Sequence, residues 1–157
     1  MALRWLSLRE LARGAVAARL TTRGFPPDIV ETVVARLVES RFIDDNRAIR
    51  ACARNLVQLK RRGPQRVQRE LARMGFAPDL VRRVLKELLG DGDELALAKQ
   101  VVAAKLRTQT RIPDIAAYRR LFGSLMRRGF SSQVVRDALK PHWNRGAVED
   151  NDDSTDD

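Results

Sequence analysis

The chain has 157 residues, 44% of them hydrophobic and 32% charged, with a net charge of +10 and one cysteine. That length can bury a sizeable core, and a lone cysteine excludes an intramolecular disulfide and suits a reducing interior. No apolar run approaches the roughly 20 residues of a transmembrane helix, so a soluble, cytoplasmic protein without membrane contact is expected.

From the N-terminus, Met1 to Arg23 is arginine-rich and poor in acids, as a mitochondrial transit peptide is. Its second half, however, opens a block that recurs later, which a cleaved leader has no reason to match, so the segment is read as part of the fold. A short leading helix is expected over about Leu3 to Arg13. The block VAARLTTRGFPPDIVETVVARL follows from Val16. It reads as a helix, a turn at Gly24-Phe25, and a second helix opened by Pro26-Pro27-Asp28, where proline and an acid suit a helix start. Asp44 then caps a long helix to about Arg62, with Ile49, Cys52, Leu56 and Leu59 as its buried stripe.

A second copy, VQRELARMGFAPDLVRRVLKEL, begins at Val67. Val67, Leu71 and Met74 fall on one helical stripe. Gly75 stands where a helix ends in a left-handed residue, and Phe76 folds back on the last turn. The next helix opens at Ala77-Pro78-Asp79, with Val81, Val84, Leu85 and Leu88 as its apolar stripe. Asp93 starts a helix to about Thr110, with Leu95, Ala98, Val102 and Leu106 inside. The third copy, LFGSLMRRGFSSQVVRDALKPH from Leu121, turns at Gly129-Phe130 and offers a serine cap at Ser131-Ser132.

The copies start 51 and 54 residues apart, a period that marks a stack of one supersecondary unit. No strand-like alternation interrupts it. The expected fold is all-α: three tandem three-helix, helix-turn-helix-like repeats in an elongated, curved solenoid. The first repeat, with its shortened leading helix, takes residues 1–40, the second 41–90 and the third 91–143. A disordered acidic tail, 144–157, ends in EDNDDSTDD and leaves residues 1–148 at +16. The tail reads as solubilising, with competition for a basic groove as the alternative. Trp5 and Trp143 are expected to close the terminal hydrophobic layers rather than to stack on bases.

Positive residues gather along Lys60, Arg61, Arg62, Arg66, Arg69 and Arg73, with Arg82 and Arg83 on the following helix and Arg119, Arg120, Arg127 and Arg128 in the third repeat. The Lys60–Arg73 cluster reads as a surface for a polyanion, whose binding is salt-sensitive. Arg66, Arg69 and Arg73 flank the apolar stripe and are assigned to binding rather than packing. His142 is the one histidine, and a metal or Cys–His pair would need Cys52 to meet it across two repeats. The chain has no glycine-rich phosphate loop. Asp44, Asp45, Asp91 and Asp93 sit at helix starts, where carboxylates cap free amides. No enzyme activity, cofactor or metal is expected.

The segment Ser40-Arg41-Phe42-Ile43-Asp44-Asp45-Asn46-Arg47-Ala48 resembles the signature of the RecX regulatory family, as do Lys60-Arg61-Arg62-Gly63-Pro64 with Glu70-Leu71, and Leu125 through Phe130. The resemblance spans about residues 3–140. It assigns Asp44, Asp45, Arg47 and Gly63 to the family signature, in which Asp44 can cap a helix while Arg47 pairs with a carboxylate. Asn46 and Ile49 depart from the usual pattern. A capped solenoid has no need to dimerise, so a monomer is expected. The resemblance implies a modulator of RecA that lodges in the groove of the RecA–single-stranded DNA filament and suppresses its ATPase, strand exchange and co-protease activities. It thereby implies a role in recombination, DNA repair and the SOS response. The rival is a helix-turn-helix-type DNA-binding protein without a RecA partner, with non-specific affinity extending to double-stranded DNA.

Overall fold

The computed structural model describes residues 1–8, 10–90, 92–107 and 111–143. The expected acidic tail, Asp91 and the segment expected to end the helix at Thr110 lie outside the described residues. Among those described, the regular elements are helical: α1 (Ala2–Leu8), α2 (Arg13–Thr22), α3 (Pro27–Glu39), α4 (Asp45–Arg54), α5 (Pro64–Arg73), α6 (Pro78–Leu88), α7 (Asp93–Leu106), α8 (Ile115–Arg128) and α9 (Ser132–Leu139). A π-helical turn, Asn55–Leu59, extends α4, and a 3₁₀ turn, Lys140–His142, follows α9. The chain forms two compact units, Met1–Lys60 with Val67–Leu88, and Arg61–Arg66 with Leu89–Asp157.

In the first unit, Val16 and Leu20 of α2 pack with Val30, Val34 and Leu37 of α3, and Leu11 and Ile43 complete the cluster. Trp5 and Leu6 of α1 pack against it. Val67 and Leu71 of α5 are fully buried, as are Val81 and Val84 of α6, which lies against α4. Each such side chain contributes about 1.5–3 kcal/mol. In the second unit Leu97, Ala98, Val101 and Val102 of α7 face Val135, Ala138 and Leu139 of α9, with Leu125 and Phe130 between the turns. Trp143 packs on Tyr118 at 5.0 Å between ring centres.

The three turn glycines Gly24, Gly75 and Gly129 all adopt the left-handed conformation expected of them, with φ of 84°, 88° and 90°. Phe76 and Phe130 are buried immediately after, and each donates its amide N–H back to the preceding helix, to Leu71 and Leu125. Pro27 and Pro78 open α3 and α6 as expected, and Ser131 caps α9 by accepting the Val134 N–H.

Four local expectations change. The helix begun at Asp44 does not run to Arg62: α4 widens into the π-helical turn and stops at Leu59. The buried positions fall at Ile49 and four, seven and eight residues on, the spacing of an ordinary apolar helical stripe. Leu59 is 76% exposed and Cys52 half-buried, while Ala53, Leu56 and Val57 carry the core. Lys60, Arg61 and Arg62 therefore follow the helix instead of forming its last turn. Met74 is 40% exposed because α5 has already ended at Arg73. The leading helix of the first repeat stops at Leu8, and Leu11 and Ala12 are buried in extended chain before α2. In α7, Leu95 is only half-buried, and Leu97 and Val101 join the core instead.

Candidate functional surface

The residues of the expected signature act on the scaffold. Asp44 is the N-cap of α4 and accepts the Arg47 N–H at 3.0 Å. Asp45 reaches away from its own helix and accepts the Arg13 N–H at 2.8 Å, capping α2. Arg47 donates from Nε to Glu10 Oε1 at 2.6 Å. Asn46, where the pattern departs, accepts from Arg83 at 3.0 Å. These bonds satisfy orphan amides at two helix starts and join α2, α4 and α6 within the first unit. Gly63 works in the second unit: its N–H donates to Arg128 O at 2.8 Å, and a Cβ there would stand 2.5 Å from Gly129 O.

The expected basic cluster is divided between the units. Arg61, Arg62 and Arg66 belong to the second, while Lys60, Arg69, Arg73, Arg82 and Arg83 belong to the first. Arg66 is half-buried and donates to Arg127 O at 2.8 Å, so it holds the end of α8 as well as carrying charge. Arg61 donates to Gln100 at 3.3 Å, and its own carbonyl accepts from Arg128. Arg82 is exposed and paired with Asp79 one turn before it. Arg69 and Arg73 are exposed on α5.

Two concavities open in the first unit. One, of about 780 Å³, is lined by Ala12, Ala15, Ala18, Ala48 and Ala51 together with Leu11, Leu56 and Phe76, with Arg19, Lys60 and Arg73 also on it. The other, of about 300 Å³, is lined by Trp5, Ala18, Arg19, Thr22 and Arg23. Arg19 and Arg23 stand over the Trp5 ring, 5.6 and 5.1 Å from its centre. The sequence reading passed over this arrangement. Its signal was the four-residue spacing of Arg19 and Arg23, which puts both on one face of α2, but nothing local announced that Trp5 meets them.

Residues 1–37 match the family model described as RecX, first three-helix domain, and residues 92–139 the one described as RecX, third three-helix domain. Over 140 residues the chain is 32% identical to the regulatory protein RecX of Trichlorobacter lovleyi, covering 86% of this chain and 88% of that protein. The chain belongs to the RecX family. It is also 34% identical to the RecX of Mycobacterium avium over 140 residues, 86% of this chain and 78% of that one. The crystal structure of RecX from Lactobacillus salivarius superposes with a TM-score of 0.74 over 88% of this chain and 90% of that chain, at 19% identity. A further RecX crystal structure gives 0.70 over 88% and 67%, at 21% identity. These two establish that the all-α fold is shared. As a RecX protein the chain is a regulatory protein built of three-helix domains. Among its described residues no group of three or more His, Cys, Asp or Glu side chains could hold a metal ion, and no helix is long and apolar enough to cross a membrane.

Proposed function

We propose that this RecX protein is a non-enzymatic regulator of RecA that binds in the groove of the RecA–single-stranded DNA filament. There it lowers ATP hydrolysis, strand exchange and co-protease activity, and so tempers recombination, DNA repair and the SOS response from the cytoplasm. The observation that carries this reading is the 32% identity to a regulatory protein RecX along nearly the whole of both chains. The charge supports it, since +16 over residues 1–148 favours approach to a nucleoprotein polyanion. Its partners are the RecA filament and the single-stranded DNA within it, approached as a monomer. Arg69 and Arg73 are the exposed members of the original cluster on α5 and are assigned to that contact; Arg66 is set aside because its guanidinium already binds Arg127 O.

The test is the single-stranded-DNA-dependent ATPase of the cognate RecA, titrated with this protein. Inhibition at well under one molecule per RecA protomer, tighter than the chain's affinity for free single-stranded DNA accounts for, is the expected outcome. Inhibition that simply tracks the chain's occupancy of the DNA points instead to a DNA-binding protein with no RecA partner. An unchanged ATPase at every ratio removes the proposal.

A further inference from the structure

The Trp5 pocket carries chemistry that the signature and the basic cluster leave unused. Arg19 lies in α2 and Arg23 caps its C-terminus, so the two project from one face a single turn apart. Both guanidinium groups stand over the same indole, which is itself held by the apolar cluster of α2 and α3. Arg23 also donates to Met1 Sδ at 3.0 Å. Among the described residues neither arginine is paired with a carboxylate. Two like charges drawn to one ring repel each other, and an anion between them would remove that cost. The ring limits their motion, so less side-chain freedom is lost when a ligand arrives.

Ala18 and Arg19 line both concavities, so the small pocket adjoins the larger cleft that Lys60 and Arg73 also line. Four positive side chains thus follow one surface. Its one carboxylate, Glu10, is engaged by Arg47. Regularly spaced negative charges are what such a run of cations matches, and guanidinium forks take phosphate oxygens in pairs. The indole is taken up by the core and the two guanidinium groups. It is these planar cations, held in place by the ring, that offer an unpaired base a surface to stack on.

We infer that Trp5, Arg19 and Arg23 form a phosphate clamp for single-stranded nucleic acid, whose backbone continues along the cleft toward Arg73. This deepens the reading above by naming a nucleic-acid contact, and it predicts binding with RecA absent.

The full chain carrying Trp143→Phe retains Trp5 as its one tryptophan, so indole emission reports on the pocket directly. Titration with a thymidine oligonucleotide should change that emission and saturate. A labelled oligonucleotide followed by anisotropy then gives affinity against salt. Arg19→Gln with Arg23→Gln should reduce the slope of log K on log salt by about 1.4, at about 0.7 per phosphate contact on a single strand. Trp5→Phe, which keeps a ring, should bind within a few-fold of the parent. Trp5→Leu, with helicity checked by circular dichroism, should bind at least tenfold more weakly.

Unchanged Trp5 emission on adding oligonucleotide, or an unchanged salt slope in the double variant, overturns the clamp. Inorganic phosphate saturating the emission change at the same concentration makes it an ion site, and polyglutamate competing as well as DNA makes it an acidic-peptide surface. Either result removes the nucleic-acid assignment. RecA inhibition by a parent chain that binds no oligonucleotide defeats the clamp alone. Oligonucleotide binding without RecA inhibition defeats the regulator reading alone.

Discussion

Gly24, Gly75 and Gly129 share a backbone conformation but not an environment. A Cβ on Gly24 meets nothing within 4 Å, whereas one on Gly75 would lie 2.7 Å from the Ala15 nitrogen. Gly63 and Gly14 have ordinary φ, yet each presses on a distant turn, with the hypothetical Cβ 2.5 Å from Gly129 O and Gly75 O respectively. Gly24→Ala should therefore cost only the left-handed strain, about 1–2 kcal/mol. Gly75→Val adds a backbone clash to that strain, and Gly63→Ala has the clash alone, about 1–3 kcal/mol of overpacking. Thermal melts of the three variants test the order: Gly75→Val should fall furthest, and equal losses would mean that the close approaches relax freely. The turn glycines were legible in the sequence because their demand is local. Gly14 and Gly63 were not, because theirs is set by backbone that lies far along the chain.

At the scale of an element, the α4 segment shows where periodicity fails. Reading every third or fourth apolar residue from Ile49 leads to Leu56 and then Leu59. The buried positions are instead Ala53, Leu56 and Val57, and the chain leaves the helix just after Leu59. Val57 and Leu59 are both apolar, so the pattern supports either stripe and cannot say where the helix ends. Leu56→Ala should destabilise by about 2–5 kcal/mol, whereas Leu59→Gln should stay within about 0.5 kcal/mol, as surface changes do. Denaturant midpoints distinguish them, and a large loss at Leu59 would restore the straight-helix register. The helix starts were read more securely. Asp44 does cap α4 and Arg47 does meet a carboxylate, because capping chemistry is written in neighbouring residues. That Asp45 caps α2 instead of its own helix needed the tertiary arrangement of the first unit.

For the whole molecule, the helical class and the tandem block were plain from the spacing of the copies, while the sharing of the basic residues between two units was not. Spacing along the chain says nothing of which side a residue takes when the chain crosses from one unit to another and back. Net charge acts over longer distances than any single contact. Removing residues 149–157 raises it from +10 to +16. For a solubilising tail, affinity for a thymidine oligonucleotide should rise less than tenfold near physiological salt and converge with the full chain at high salt. A larger gain, measured by anisotropy, would make the tail a direct competitor for the basic surface.

The chain path also sets an order in time. Residues 61–66 lead into α5 and form its first residues, yet their hydrogen-bonding partners on α8 lie more than sixty residues downstream. At ribosomal rates of about 5–20 residues per second, Gly63 would wait roughly 3–13 s for the Arg128 carbonyl to be synthesised. The first unit can begin to compact during that interval, before the Arg127 and Arg128 carbonyls that accept from Arg66 and Gly63 have been made. A chain released early, after Leu88, would lack those two acceptors for good, and the start of α5 would keep two donors that only the missing α8 can answer.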